Sequence, residues 1–338
     1  MIPEITAPVA LLDERGRLNR AAVGWTRTPL HDTSGVARRR GWRPPAAWGR
    51  NKRWEYWAVI TPTHVVALVV SSIDYAAVHG IFCLDRRTGA QIAHDAIGVL
   101  GGTAQLPGSL GDGPARGRTR AVRTGVEETP GGTRLRAEGA RVSLDVVVPR
   151  PSGHEAMGVV VPWSDRLVQY TVKDVGRTAY GRIVVDGEEV AVSEADSWAV
   201  HDHGRGRWPY DIAWNWGAGV GRVDGRVIGV QLGARWTAGT GSTENALYVD
   251  GRLTKIHHEL DWRYTPGDWL AAWEVRGEGV ELTFTPEHLR RAVTDLTVFF
   301  SKTHQVFGTW AGRVRDADGA WVEVREVYGF AENVHNRW

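Results

Sequence analysis

Residues 219–260 read GVGRVDGRVIGVQLGARWTAGTGSTENALYVDGRLTKIHHEL. Runs rich in β-branched residues flank Asp224-Gly225, and two more flank Asp250-Gly251. Asp-Gly between such runs predicts a two-residue hairpin turn, because both central positions need positive φ. The same plan occurs upstream in GRIVVDGEEVAV (181–192), around Asp186-Gly187, and downstream in 269–286 and 307–332. Strand–turn–strand units at this spacing argue for antiparallel barrels or sandwiches. No strand–helix alternation of the kind a parallel sheet requires is present.

Working outward, residues 55–89 read as consecutive strands, with apolar bulk over Val65–Val70 and a turn at Asp85–Gly89. Residues 101–118 are rich in glycine and proline and are predicted to be a loop. Residues 119–151 supply two or three strands, turning at Pro130-Gly131-Gly132. Helix signals are weak, and PEHLRRA (286–292) is the best candidate for a short one. The expected fold is all-β: two packed antiparallel barrels with few short helices. An N-terminal arm (1–50), including part of the basic stretch RRRGWRPPAAWGRNKRW (38–54), is expected to wrap over a barrel. The first barrel would span 51–182 and the second 183–338. Each half supplies most of the roughly eight strands a small barrel needs, and one continuous sheet system is the alternative.

The chain has 338 residues, and its 41 basic and 39 acidic residues leave a net charge of +2. That balance excludes a disordered chain and a general polyanion binder. The single cysteine, Cys83, excludes an internal disulfide framework and a cysteine-rich zinc module. No run approaches the roughly 18 apolar residues of a membrane span. The opening MIPEITAPVALLDERGR carries acids where a signal peptide is basic, so a cytoplasmic protein with no transmembrane segment is expected. There is no phosphate loop, no GxGxxG opening a helix and no GxSxG elbow, so no cofactor is expected. Aromatics beside arginines would suit an oligonucleotide, but the balanced charge leaves no basic stripe, and nucleic acid is not an expected partner.

The 17 tryptophans need their own account. Many cluster: Trp54 and Trp57; Trp208, Trp214 and Trp216; Trp262, Trp269 and Trp273. Taken singly, each reads as core packing. As a set they suggest an aromatic-walled interior, because a broad rigid ring lines an apolar cavity at low entropy cost.

The densest chemistry lies in SWAVHDHGRGRWPYDIAWNWGAGVG (197–221). A carboxylate among indoles is desolvated, so it can hold a proton at neutral pH and protonate an alkene, epoxide or carbonyl. Aromatic faces would stabilise the resulting cation. Asp202 is the candidate acid and His203 the residue to orient or recharge it. Trp208, Tyr210, Trp214 and Trp216, with Trp236, would shape the cavity. The competing reading of Asp202 is a buried acceptor for tryptophan N–H groups.

His201 and His203 share a strand face and could meet one ion. A further ligand from His257–His258–Glu259 would be needed, and no metal is assigned. Glu244 and Asn245 are candidate barrel-mouth polar groups, or else a turn. His304 and Gln305 sit between two strands, where His304 could shuttle protons or simply be a satisfied histidine. Glu332 is a second candidate carboxylate. Asp74 and Tyr75, at the end of an apolar run, either reach the cavity or form a plain turn.

The order W-N-W-G-x-G-x-G (214–221), T-E-N-A-L-x-x-D-G-R-L-x-K (243–255), L-T-F-T-P (282–286), H-Q-V-F-G (304–308) and G-F-A-E-x-x-x-x-x-W (329–338) resembles a large bacterial and fungal family known only as a domain of unknown function. The resemblance covers nearly the whole chain, with Lys52–Trp57 and Asp74-Tyr75 matching near the N-terminus. More distantly, H-D-H-G (201–204) followed by W-N-W-G resembles the D-H-x-W-G signature of the carotenoid hydratase and AttH-like lipocalin group, although here no tryptophan directly precedes Gly204. That second resemblance implies two packed lipocalin-like barrels, an apolar substrate and acid chemistry, since characterised members hydrate isoprenoid chains or cyclise polyenes.

Three functions fit the residues. The first is an acid/base enzyme (hydratase, isomerase or cyclase) for an isoprenoid, polyene or similar apolar small molecule. The second is a non-catalytic lipid or pigment carrier built around the same cavity. The third is a carbohydrate-active protein with an open aromatic groove between facing carboxylates such as Asp202 and Glu332.

Overall fold

The computed structural model describes residues 1–37, 45–99, 102–296 and 299–338. The Asp-Gly pairs make the turns their composition demands. Asp186 and Gly187 have φ of 51° and 88°, Asp224 and Gly225 48° and 82°, and Asp250 and Gly251 50° and 77°. Positive φ at both central residues matches the twist of the flanking strands and fixes their register.

The strands form three large sheets. An eight-stranded sheet runs in the order Trp25–Thr26, Met157–Pro162, Val168–Thr178, Trp198–Arg207, Asn51–Ile60, His64–Ser72, Ala76–Asp85 and Gln91–Val99. A seven-stranded sheet, made mostly of residues 104–148 and 180–192, packs on one of its faces around Trp57, Val66, Leu68, Leu135 and Val146. A nine-stranded sheet, spanning residues 211–337, curls around its own core of Leu232, Trp269, Trp273, Leu282 and Trp310. Its outer face packs on the remaining face of the eight-stranded sheet through Ala58, Phe82, Val200, Trp216, Tyr248, Phe307 and Phe330. The architecture is all-β, two packed antiparallel sheet systems as expected. Among the described residues no helix is long and apolar enough to cross a membrane.

Three expectations about organisation change. PEHLRRA is not a helix but lies inside the 17-residue strand Val280–Leu296, paired with Phe299–Arg315. The register shifts between Pro286 and His288, so a bulge accommodates the residue that has no N–H to give the ladder. The only described helical turn is the three-residue 3-10 turn Arg20–Ala22. The stretch 101–118 is not all loop, since Ala104–Gln105 and Ala115–Arg118 pair as strands, while Gly101 lies outside the described residues. Finally, the chain crosses into the nine-stranded sheet between Arg207 and Asp211, later than the expected boundary at 182/183. Tyr180–Val185, Glu188–Val192 and Trp198–Arg207 complete the first two sheets.

Side chains from the first 37 residues pack against the eight-stranded sheet. Leu11, Leu18, Ala22 and Val36 pack on Val160, Val168, Tyr170 and Val172, and each such buried aliphatic side chain contributes roughly 1.5–3 kcal/mol. Residues 38–44 of the arm, with Trp42, lie outside the described residues.

Candidate active site

A cavity of about 280 Å³ lies between the eight-stranded and nine-stranded sheets, not inside either barrel. Strand parity and register explain its walls. In the eight-stranded sheet, Tyr56 pairs with Asp202 and Asp202 with Lys173, so the three stand in one row across adjacent strands. In the nine-stranded sheet, Arg290, Gln305, Glu332 and Trp216 form a corresponding row. The rows meet where the Lys173 ammonium lies 4.4 Å from the Trp216 ring and where Tyr56 sets its ring edge-on to Trp216, 5.5 Å away.

Asp202 takes three donors. Lys173 Nζ lies 3.0 Å from Oδ1, the Thr171 hydroxyl 3.0 Å from the same oxygen, and Trp54 Nε1 donates to Oδ2 at 3.0 Å. Gly204 makes the Trp54 contact possible: a Cβ there would sit 2.2 Å from the Trp54 ring, so only glycine lets the indole cross the strand to reach Asp202. Lys173 also lies 3.0 Å from Glu244 Oε2, and Trp236 Nε1 donates to Glu244 Oε1. Its two carboxylate partners hold Lys173 charged above the usual lysine range, against the burial that opposes charge.

Glu332 differs from both. It is 7% exposed and accepts from Trp214 Nε1 at 2.9 Å and Gln305 Nε2 at 3.2 Å. Among the described residues no cation lies within ion-pair distance of it. Burial pushes its carboxyl up to about 7, with the Asp202 charge adding to the shift and the Trp214 N–H and Lys173 opposing it. One cavity therefore holds two carboxylates on a shared ammonium and a third that carries a proton near neutral pH. Among the sequence candidates, Trp208, Trp214, Trp216, Trp236, Glu244, Gln305 and Glu332 line it together with Asp202.

Six candidates do not line it, and three of them, His203, His304 and Asn245, fall out by strand alternation. His203 lies on the opposite face of its strand from Asp202, so it cannot orient or recharge that residue. Its Nδ1 is 2.7 Å from Glu55 Oε1, and burial lowers its pKa to about 4. His201 points the same way, 3.0 Å from Glu55 and stacked on Trp57, and Arg205 completes the group at 2.8 Å. Among the described residues no group of three or more His, Cys, Asp or Glu is arranged to hold a metal ion. His304 faces away from Gln305 and stacks on Trp269 with ring centres 4.1 Å apart. Asn245 is consumed by the Gly233 N–H and the His258 carbonyl. Tyr210 is 46% exposed beneath Arg50. Asp74 accepts from Gly49 N and from Asn51 N and Nδ2, pinning a turn, and Tyr75 lies beside it under Lys52.

The residues missed are Lys173, Lys52, Trp54, Tyr56, Thr171 and Arg290. A signal for the lysines was present. In a chain that uses arginine almost everywhere, only Lys52, Lys173, Lys255 and Lys302 occur. Three of these four are buried, where a compact ammonium cannot be replaced by a guanidinium.

A family model described as a domain of unknown function (DUF2804) matches residues 3–338. The chain belongs to the DUF2804 family. No curated protein matches it in sequence. Among solved structures, kievitone hydratase from Nectria haematococca aligns with a TM-score of 0.52 at 10% identity, covering 84% of this chain and 88% of that one. CghA, solved with Sch210972, aligns with a TM-score of 0.55 at 12% identity, covering 86% and 89%. An AttH-type protein from Nitrosomonas europaea gives 0.49 at 13% identity, covering 84% and 92%. The chain thus shares the lipocalin-like double-barrel fold of kievitone hydratase and CghA. At these identities the likeness is one of fold.

Proposed function

We propose that this DUF2804 chain is a cofactor-independent acid/base enzyme of the hydratase, isomerase or cyclase class, acting on an isoprenoid, polyene or similar apolar small molecule. The observation that carries the reading is the contrast within one cavity: among the described residues Glu332 has no cation within ion-pair distance, while Asp202 and Glu244 share Lys173. Glu332, rather than Asp202, is the proton donor.

In this mechanism Glu332 protonates an alkene carbon or carbonyl oxygen of the bound molecule. Positive charge develops beside the faces of Trp214 and Trp216, in a cavity that Asp202 and Glu244 also line. Addition of water, with its proton passing to a carboxylate, completes a hydration. Loss of a neighbouring C–H proton to the Glu332 carboxylate completes an isomerisation; attack by a second double bond, followed by loss of a C–H proton from the new cation to the same carboxylate, completes a cyclisation. The fold shared with a hydratase supports the reaction class as an analogy.

The test begins with native mass spectrometry of the purified protein and identification of whatever a denaturing extraction releases. Turnover of that species, or of its close relatives, lost in Glu332→Gln with binding retained, is the expected result. Recovery of the species unchanged after long incubation with the wild type would favour a carrier and contradict the enzyme reading.

A further inference from the structure

Two lysines from the eight-stranded sheet line the cavity, and their surroundings differ. Lys173 is neutralised by Asp202 and Glu244. Lys52 is 0% exposed, yet no carboxylate lies within ion-pair distance of it among the described residues. Among the described residues its one hydrogen-bond acceptor is the Gly49 carbonyl, at 3.1 Å, although an ammonium carries three donors. The rings of Tyr75 and Trp338 flank it, each 5.1 Å from Nζ. The nearest acid, Asp74, is occupied by Gly49 and Asn51, and Arg50 adds further positive charge nearby. Burial lowers the Lys52 amine to about 7, against the pull of Asp74 and with Arg50 adding to the shift, so an incoming anion between the two aromatic faces would stabilise the charged form and relieve its desolvation.

Lys52, Trp54 and Tyr56 alternate along one strand and face the cavity together. Trp54 holds Asp202, and Tyr56 stands in register with it. Lys52 is therefore four residues along the strand from the Tyr56–Asp202–Lys173 row, or roughly 13 Å at the usual rise per residue.

We propose that Lys52 is the anchor for an anionic oxygen on the substrate, a carboxylate or enolate, at the end of the cavity remote from the reacting row. The substrate class narrows from apolar to amphipathic: an apolar body among the indoles and one acidic head group. This rests on the proposed function only for the apolar body, so binding rather than turnover tests it.

Farnesoate and farnesol share one hydrocarbon skeleton and differ in the charged head. Their affinities for the full chain are read by quenching of tryptophan fluorescence and by calorimetry at neutral pH. The expected result is that farnesoate binds at least about tenfold more tightly than farnesol. Lys52→Met should remove that preference while leaving farnesol affinity unchanged. Glu332→Gln should keep the preference even with catalysis abolished, which separates this inference from the proposed chemistry. Equal binding of both probes by the wild type, or an unaltered preference in Lys52→Met, overturns the anchor. The wild-type comparison decides even if Lys52→Met fails to fold. Binding of neither probe contradicts the apolar body on which the inference rests.

Discussion

Lys173 and Glu244 lie 3.0 Å apart across the seam between two sheets, and the same ammonium is 3.0 Å from Asp202 on the neighbouring strand. Lys173 therefore ties the two halves of the molecule together at the wall of the cavity. Replacing it by Met would leave two buried carboxylates without their shared cation. Removing one partner of a buried ion pair costs about 3–5 kcal/mol. Lys173→Met should lower the urea midpoint accordingly, and an unchanged midpoint would show that the triad is not holding the seam.

Glu332→Gln preserves shape and removes the acid. Its amide can still accept from Trp214 or Gln305, so folding should be near normal. Steady-state kinetics on the extracted substrate should show kcat reduced by roughly 10²–10⁴, the usual contribution of a positioned acid, with the dissociation constant little altered. Asp202→Asn should also slow turnover, but it should destabilise the fold as well because it weakens the Lys173 pairing.

Stability should depend on pH through Glu332 in a definite direction. Its carboxyl lies at about 7 in the folded chain against 4.5 ordinarily, so between those values the folded state binds the extra proton. The associated stability is fully present below about 4.5 and is lost as pH rises through about 7; its size is of order 3 kcal/mol. Denaturant unfolding at pH 5 and pH 8 should show the wild type losing stability that Glu332→Gln retains. Glu55, held well below the usual range by His203, Arg205 and His201 in spite of burial, acts with the opposite sign. Its contribution is present above about 4.5 and is lost as pH falls further below that.

Gly204→Ala tests the packing that aims Trp54 at Asp202. The new methyl would lie 2.2 Å from the indole, which must move. Overpacking of this kind costs about 1–3 kcal/mol. The thermal midpoint should fall, and tryptophan emission should shift as the Trp54 N–H loses Asp202.

The hairpins were legible because Asp-Gly is a local signal, and Asp186, Asp224 and Asp250 all adopt the positive φ it demands. The site was half legible for a reason of parity. The cluster His201-Asp202-His203 is contiguous in sequence, but a strand sends Asp202 to one face and both histidines to the other, where Glu55 waits. The same alternation separates Gln305 from His304 and accompanies the split between Glu244 and Asn245. Knowing the strand was not enough without knowing which face met the second sheet. The helix expected at 286–292 failed because its local pattern was overridden by pairing along a 17-residue hairpin, with a bulge absorbing Pro286. Lys173, in VQYTVKDVGRT (168–178), carries no local signal of its role. Its partners come from sequence positions far from its own.

The most direct measurement is infrared difference titration of the wild type against Glu332→Gln, following the carbonyl stretch of a protonated carboxylic acid. The account requires a single band that is present in the wild type and absent in the variant, and that disappears as pH rises through about 7. A Glu332 band that titrates in the ordinary carboxylate range, near 4.5, would contradict it. The proton at the centre of the proposed chemistry would then be absent under working conditions.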